Sequence, residues 1–142
     1  MRISTKGTYA LEVIVDLAMH SSKNHLEQLK QIAKRRNLSE KYLERIVKAM
    51  KNAGLIQSTR GSMGGYCLAR CPEEITVLEV LKSVEGELAP VECLTKEKNC
   101  GISCDDCLTR GLWSEMWEEI LDVAAHVSVV DLMKEVVDRE KK

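Results

Sequence analysis

Four cysteines lie within fifteen residues of the chain, and their thiols are the groups best suited to chemistry. They are Cys93, Cys100, Cys104 and Cys107. Thiolates are soft ligands that bind metal centres, and oxidants modify them. On spacing alone a zinc site comes first, because Cys104 and Cys107 form a C-x-x-C pair and the other two could complete a tetrahedral site. An iron–sulfur cluster, or thiols that are unligated or form disulfides, are the alternatives that the spacing leaves open.

The charges divide the chain into two contrasting halves. Residues 1–70 carry a net charge of +8 and residues 71–142 a net charge of −9. A basic half attracts a polyanion, so with the thiol cluster this pattern predicts a regulated nucleic-acid binder. No apolar run is long enough to cross a bilayer, and the first seven residues lack the apolar centre of a signal peptide. We therefore expect a cytoplasmic protein without membrane association, in which six cysteines serve as ligands, redox groups or core residues.

The basic half predicts three helices and a β-hairpin. Apolar residues at helical spacing predict a helix from Thr5 to about His20 and a short second helix that begins near residue 29 and stops near Asn37. Ser39 is a good N-cap for a third helix, which ends at Gly54. Two short strands over 55–59 and 66–69 enclose the glycine-rich turn 60–65. A hairpin directly after a helix-turn-helix makes a winged helix, whose second helix enters the major groove of DNA.

The acidic half predicts a short helix, a loop and a long apolar helix. Residues 75–81 form a strand-like approach to a helix that ends near Gly86, and residues 87–106 show no periodicity. A loop of this length in a small domain suggests an organising ligand such as a metal. Two adjoining apolar stripes then predict a helix that must be covered on two sides: Leu112, Met116, Ile120 and Val123, and Trp113, Trp117, Leu121 and Ala124. The second cover is a second subunit, or else the helix is the buried core of a monomer.

These patterns predict a mainly α fold with a small β-hairpin wing, in three parts. Residues 1–86 form the winged helix-turn-helix domain, 87–107 the cysteine loop, and 108–142 the dimerisation helix with a short last helix. That last helix is expected over residues 129–133, capped by Ser128, before a fraying charged end. Cys67 and Cys71 lie outside the loop, and we expect both to be small apolar core residues.

The chain resembles the IscR/NsrR/CymR-type winged-helix transcription regulators of bacteria over nearly its whole length. The matching stretches are residues 1–10, Leu38–Glu44, the wing Arg60–Arg70, 76–80 with 84–86, and Cys107–Trp113. The resemblance implies a homodimer with crossing C-terminal helices that binds an operator in double-stranded DNA. The DNA contacts it implies are Arg2, Lys6, Ser39, Lys41, Tyr42, Glu44, Arg60 and Gly61. Glu44 could accept a hydrogen bond from a cytosine amine, or else pair with Lys48 on its own helix.

The resemblance also implies an iron–sulfur cluster, because cluster-binding members carry three loop cysteines. These correspond to Cys93, Cys100 and Cys107, with a [2Fe-2S] cluster first and a [4Fe-4S] cluster or zinc as alternatives. Relatives of the IscR type supply a histidine where this chain has Arg110, a very poor ligand. The fourth ligand is then Cys104, or Glu12 from the first helix of a second subunit.

The function that the resemblance implies is therefore that of a dimeric regulator, and not an enzyme. It would sense a labile cluster in iron–sulfur biogenesis or in a redox or nitric oxide response. A zinc-stabilised or thiol-redox DNA-binding regulator is one alternative, and a zinc-stabilised adaptor for other proteins is another. An iron–sulfur electron carrier or oxidoreductase belongs to a different class. Against that class, the sequence shows no conventional substrate-binding fingerprint, and the winged domain would have no role.

Overall fold

The computed structural model describes residues 3–96 and 100–141. Its elements are α1 (Thr5–His20), α2 (Leu29–Arg36), α3 (Glu40–Asn52), β1 (Ile56–Thr59), β2 (Gly65–Leu68), α4 (Val77–Glu85), α5 (Arg110–His126) and α6 (Val129–Glu140). Two short 3₁₀ turns, Glu92–Leu94 and Cys104–Asp106, lie between α4 and α5. The predicted mainly α fold with a β-hairpin wing is confirmed.

Helix α1 is the centre of the core. Its side chains Ala10, Val13, Ile14 and Leu17 are fully buried, because they fall on the side of the helix that other elements cover. Helices α2, α3, α4 and α6 and strand β2 all pack against α1. The N-terminal helix thus connects the helix-turn-helix to α4 and α6.

The predicted boundaries of the helix-turn-helix are confirmed at three positions. Asn37 ends α2 in the left-handed conformation, with φ of 56°. The hydroxyl of Ser39 accepts a hydrogen bond from the backbone N–H of Tyr42 at 3.4 Å, which caps α3. Gly54 follows α3 with φ of 79°, a backbone conformation that glycine adopts without steric cost.

The wing is a two-stranded antiparallel hairpin, which pairs Ile56 with Leu68 and Thr59 with Gly65. Strand β2 is fixed to the segment before α2, because the backbone groups of Glu27 and Tyr66 exchange hydrogen bonds of 3.0 and 2.7 Å. The wing therefore has a backbone connection to the helix-turn-helix besides its covalent link to α3.

Two expectations need correction. Helix α6 continues to Glu140 rather than ending near residue 133, because Leu132 and Val136 extend its apolar side along a cavity shared with α1. Cys71 is exposed, since it follows the end of β2 on the surface, whereas Cys67 is buried as expected. The cysteine segment contains the two 3₁₀ turns and the buried Leu88.

Within residues 3–96 and 100–141, no helix is both long and apolar enough to span a membrane.

Candidate nucleic-acid interface and cysteine loop

The exposed side of α3 is predominantly basic. Lys41, Arg45 and Lys48 are exposed together with Glu44, while Leu43 and Ile46 fill the core beneath them. A cavity of about 440 Å³ separates this side of α3 from the wing, and its lining residues are Glu44, Arg45, Val47, Lys48, Lys51 and Tyr66. The cationic side chains of such an exposed helix attract a polyanion. The single carboxylate can accept a hydrogen bond from a donor group of that polyanion.

Tyr42 links α3 to the start of α1. Its ring lies edge-on to the ring of Tyr9, with centroids 5.7 Å apart and an interplanar angle of 86°. Its hydroxyl shares a hydrogen bond of 3.2 Å with that of Thr5. The structure therefore gives Tyr42 a role in positioning the first turn of α1, where the predicted contact Lys6 is exposed. Arg2, another predicted contact, lies outside the described residues.

Glu85 holds the first turn of α1 from the end of α4. Its Oε1 accepts hydrogen bonds from the backbone N–H groups of Ser4 at 3.2 Å and Gly7 at 2.8 Å, and from the hydroxyl of Ser4. A carboxylate at a helix N-terminus also interacts favourably with the helix dipole. Sequence reasoning did not find this contact, because nothing local to Glu85 indicates a partner 78 residues away.

The wing tip presents Arg60 and Gly61, two of the predicted DNA contacts, to solvent. The turn is tight: the N–H of Gly64 donates to the carbonyl of Gly61 at 3.0 Å. An ideal Cβ on Gly64 would lie 2.1 Å from the carbonyl oxygen of Thr59, so only glycine fits there.

An ion-pair network around the buried carboxylate of Asp16 was missed by sequence reasoning. Asp16 has a fully buried side chain and accepts two hydrogen bonds from Arg35, of 2.7 and 3.1 Å. Nε of Arg36 lies 3.2 Å from the same carboxylate, and Arg35 also pairs with Glu27 at 3.3 Å. The hydrogen bond with Asp16 is the main reason why the pKa of Arg35 is raised. The network connects α1, α2 and the segment bound to the wing.

The cysteine loop holds its four thiols near the surface, and Arg110 joins two parts of it. Nη1 of Arg110 lies 3.4 Å from Sγ of Cys104 and 3.5 Å from the carbonyl oxygen of Cys93. Sγ of Cys100 lies 3.7 Å from the carbonyl oxygen of Ile102. Among the described residues, no three His, Cys, Asp or Glu side chains are grouped to hold one metal ion. The four predicted thiol ligands are thus not gathered around one point.

Cys107 lies just before α5, and its surroundings favour the thiolate. Hydrogen bonds from the backbone N–H and the hydroxyl of Thr109 lower the pKa of Cys107, and the Arg110 backbone N–H and guanidinium add to this. Glu12, the alternative ligand, is exposed on α1 and pairs with Arg36 at 3.6 Å. By contrast, burial raises the pKa of Cys67, which is consistent with a core residue.

The chain has three helices followed by a β-hairpin, and the exposed side of the third helix is basic. This arrangement defines a winged helix-turn-helix protein. The chain belongs to the Rrf2 family, whose model, described as an iron-dependent transcriptional regulator, matches residues 3–135. This confirms the family predicted from the sequence. The chain is a transcription regulator rather than an enzyme.

Relatives of this chain include regulators named CymR and IscR. The regulator CymR of Bacillus subtilis is 38% identical, with 93% of this chain and 89% of CymR covered. The regulator IscR of Xenorhabdus nematophila is 36% identical, with coverages of 97% and 84%. Among solved structures, CymR, called the global cysteine regulator of B. subtilis, has a TM-score of 0.77 at 36% identity, covering 95% of this chain and 98% of CymR. IscR of T. potens has a TM-score of 0.77 at 32% identity, with coverages of 96% and 88%.

Proposed function

We propose that this chain is a dimeric, sequence-specific DNA-binding regulator whose loop senses an iron–sulfur cluster. The observation that carries the proposal is the position of the four thiols. Their loop begins directly after α4, whose last residue Glu85 holds the first turn of α1. A change in the loop can therefore reach the DNA-facing surface through one helix. The family description as iron-dependent supports the same proposal.

The DNA-binding surface would combine α3, the first turn of α1 and the wing. Lys41 and Glu44 on α3 would face base edges in the major groove, while Arg60 and Gly61 would enter the adjoining minor groove or contact a phosphate. Ser39, exposed at the start of α3, would contact the backbone even though its hydroxyl accepts the capping hydrogen bond. Arg2, Lys6 and Tyr42 complete the proposed set.

The loop fits an iron–sulfur cluster by the chemistry of its donors, because thiolates are the usual ligands of such clusters. Cys93, Cys100 and Cys107 would hold the cluster, [2Fe-2S] ahead of [4Fe-4S]. Cys104 is the favoured fourth ligand, because the guanidinium of Arg110 contacts both its Sγ and the carbonyl oxygen of Cys93. Recruiting Glu12 from a second subunit would instead cost its ion pair with Arg36. When bound, the cluster would supply a redox-labile centre.

The full chain, purified without oxygen, tests the proposal through its visible spectrum and its iron, sulfide and zinc content. We expect broad visible absorption with iron and sulfide. Each of Cys93→Ser, Cys100→Ser and Cys107→Ser should lose most of the colour, whereas Cys71→Ser, an exposed cysteine outside the loop, should keep it. A colourless protein with stoichiometric zinc would overturn the cluster. Selection of bound fragments from random DNA, with and without the cluster, tests sequence specificity.

A thiol-redox regulator without metal is the second candidate. Two observations favour it: the described thiols are not gathered around one point, and hydrogen bonds from Thr109 lower the pKa of Cys107. A colourless, metal-free protein whose DNA binding changes with diamide and recovers with dithiothreitol would support this candidate. Unchanged DNA binding in diamide would exclude it.

Helix α5 would form the dimer. Its side chains Leu112, Met116 and Val123 remain 51%, 42% and 63% exposed although they lie on one side of the helix. A contiguous apolar stripe of this kind marks a protein interface, and a symmetric dimer covers it with the same stripe of a second copy.

Met116→Glu is therefore expected to produce a folded monomer, because it places a charge in the proposed interface. Light scattering after size exclusion measures the mass, and circular dichroism verifies the fold. Ala125→Glu is the matched control, since Ala125 is exposed nine residues further on and faces the opposite side of α5. If Met116→Glu stays dimeric at micromolar concentration, α5 is not the interface.

A further inference from the structure

A cavity of about 170 Å³ lies between the first turn of α1, α3 and the end of α4. Its lining residues are Lys6, Tyr42, Arg45, Ile46, Ala49, Ser83 and Val84. We call it the notch. Since a water molecule occupies about 30 Å³ of liquid, the notch has space for one tetrahedral anion with some water. Arg45 and Ser83 were not among the predicted site residues.

The notch is positively charged without a compensating carboxylate. In residues 3–96 and 100–141, neither Lys6 nor Arg45 forms an ion pair. The nearby carboxylate of Glu85 is not part of the lining, and its Oε1 already accepts hydrogen bonds from Ser4 and Gly7. Two basic residues in the lining of one small cavity favour an anion as its ligand.

The other polar groups of the notch offer little to a cation or a neutral ligand. The hydroxyl of Ser83 donates to the carbonyl of Val80 at 2.6 Å, and that of Tyr42 is shared with Thr5 at 3.2 Å. Recognition therefore rests on the ammonium of Lys6 and the guanidinium of Arg45. An Arg–Lys pair of this kind binds phosphate oxygens by charge-assisted hydrogen bonds.

We propose that the notch binds one backbone phosphate of DNA, held between Lys6 and Arg45, next to the groove that α3 enters. This inference rests on the proposed function, because Lys6 and α3 belong to the proposed DNA surface. Since the phosphate would touch α1 and α3 at once, it would fix the depth and register of α3 rather than read a base. Ser83 and Val84 of α4 close the notch, and Val84 lies three residues before the cysteine loop begins at residue 87, so a shift of α4 would alter the width of the notch.

Methylphosphonate substitution along a selected duplex tests the inference, because it removes the charge of one phosphate at a time. Arg45→Gln and Lys6→Gln should each lower the affinity for the unmodified duplex about tenfold, the effect of losing a hydrogen bond to a charged group. At one phosphate of each half-site, the methylphosphonate should weaken the binding of the unsubstituted chain. On that modified duplex, Arg45→Gln and Lys6→Gln should cause no further loss of affinity. Lys134→Gln, an exposed cation on α6, should bind like the unsubstituted chain.

Four other results would overturn the inference or its basis. Wild-type affinity in both variants, or different phosphates coupled to Lys6 and Arg45, would exclude a shared notch. Saturable binding of millimolar inorganic phosphate, lost in the double variant and without coupling to any DNA phosphate, would assign the notch to a free anion. Failure of the unsubstituted chain to select any duplex would instead overturn the proposed function itself. Circular dichroism verifies that the variants, both at exposed positions, remain folded.

Discussion

Asp16→Ala is expected to lower the free energy of unfolding by about 3 kcal/mol, the lower end of the range for breaking a buried ion pair. The carboxylate of Asp16 is fully buried and serves two guanidinium groups, so its loss leaves both without their main partner. The side chains of Arg35 and Arg36 are still 29% and 38% exposed, and water can therefore offset part of the loss. Urea denaturation at fixed protein concentration measures the change, since the stability of a dimer depends on concentration.

Glu12→Ala is the matched control for this prediction. Glu12 lies one helical turn before Asp16 and pairs with Arg36 at 3.6 Å, but its side chain is 54% exposed. An exposed pair contributes within about 1 kcal/mol, so this variant should unfold almost like the unsubstituted chain. Equal losses in the two variants would show that burial of Asp16 does not set the strength of the network.

The loss of Asp16 should also reach the wing. Arg35 bridges Asp16 to Glu27, and the backbone of Glu27 is hydrogen-bonded to Tyr66 of β2. Amide hydrogen exchange should therefore accelerate at Tyr66 in Asp16→Ala before the chain unfolds globally. Unchanged protection of this amide from exchange would show that the ion-pair network does not stabilise the wing.

Gly64→Ala is expected to lower DNA affinity at least about tenfold, a change of about 1.4 kcal/mol in binding free energy. The added Cβ would meet the carbonyl oxygen of Thr59 at 2.1 Å and the carbonyl carbon of Arg60 at 2.9 Å. Both are backbone atoms, so no side-chain rotation relieves the clash, and the turn that carries Arg60 must shift. Fluorescence anisotropy with a selected duplex measures the affinity.

Ser62→Ala is the control for the wing, because Ser62 is exposed in the same turn. It should bind DNA like the unsubstituted chain, whereas Arg60→Ala should lose affinity and show a shallower salt dependence if Arg60 contacts a phosphate. If Gly64→Ala binds normally while its thermal unfolding is also unchanged, the wing geometry does not matter for binding.

The sequence determined the elements and their order, because the features that define them are local. Apolar spacing of 3.6 residues, the cap at Ser39 and the positive φ of Gly54 depend only on neighbouring residues. The glycine-rich turn likewise predicted the wing, and the family followed from motifs along the chain. The length of α6 could not be obtained in this way, because it depends on packing against α1.

Only the tertiary structure decided which charged groups meet. Asp16 appears in the sequence as one acid in an apolar helix, yet Arg35, Arg36 and Glu27 surround it. The sequence likewise placed four thiols in one loop, and the fold placed Arg110 between the backbone of Cys93 and the thiol of Cys104.

The notch is also a feature that only the tertiary structure decided. Lys6, Arg45 and Ser83 belong to three separate helices. Their common cavity exists because α1, α3 and α4 pack against one another. The sequence by itself determined the winged fold and the thiol loop, since local spacing and capping dictate both. The fold decided the ion pairs and the notch, because burial and the distances between charges far apart in sequence arise only when the helices pack.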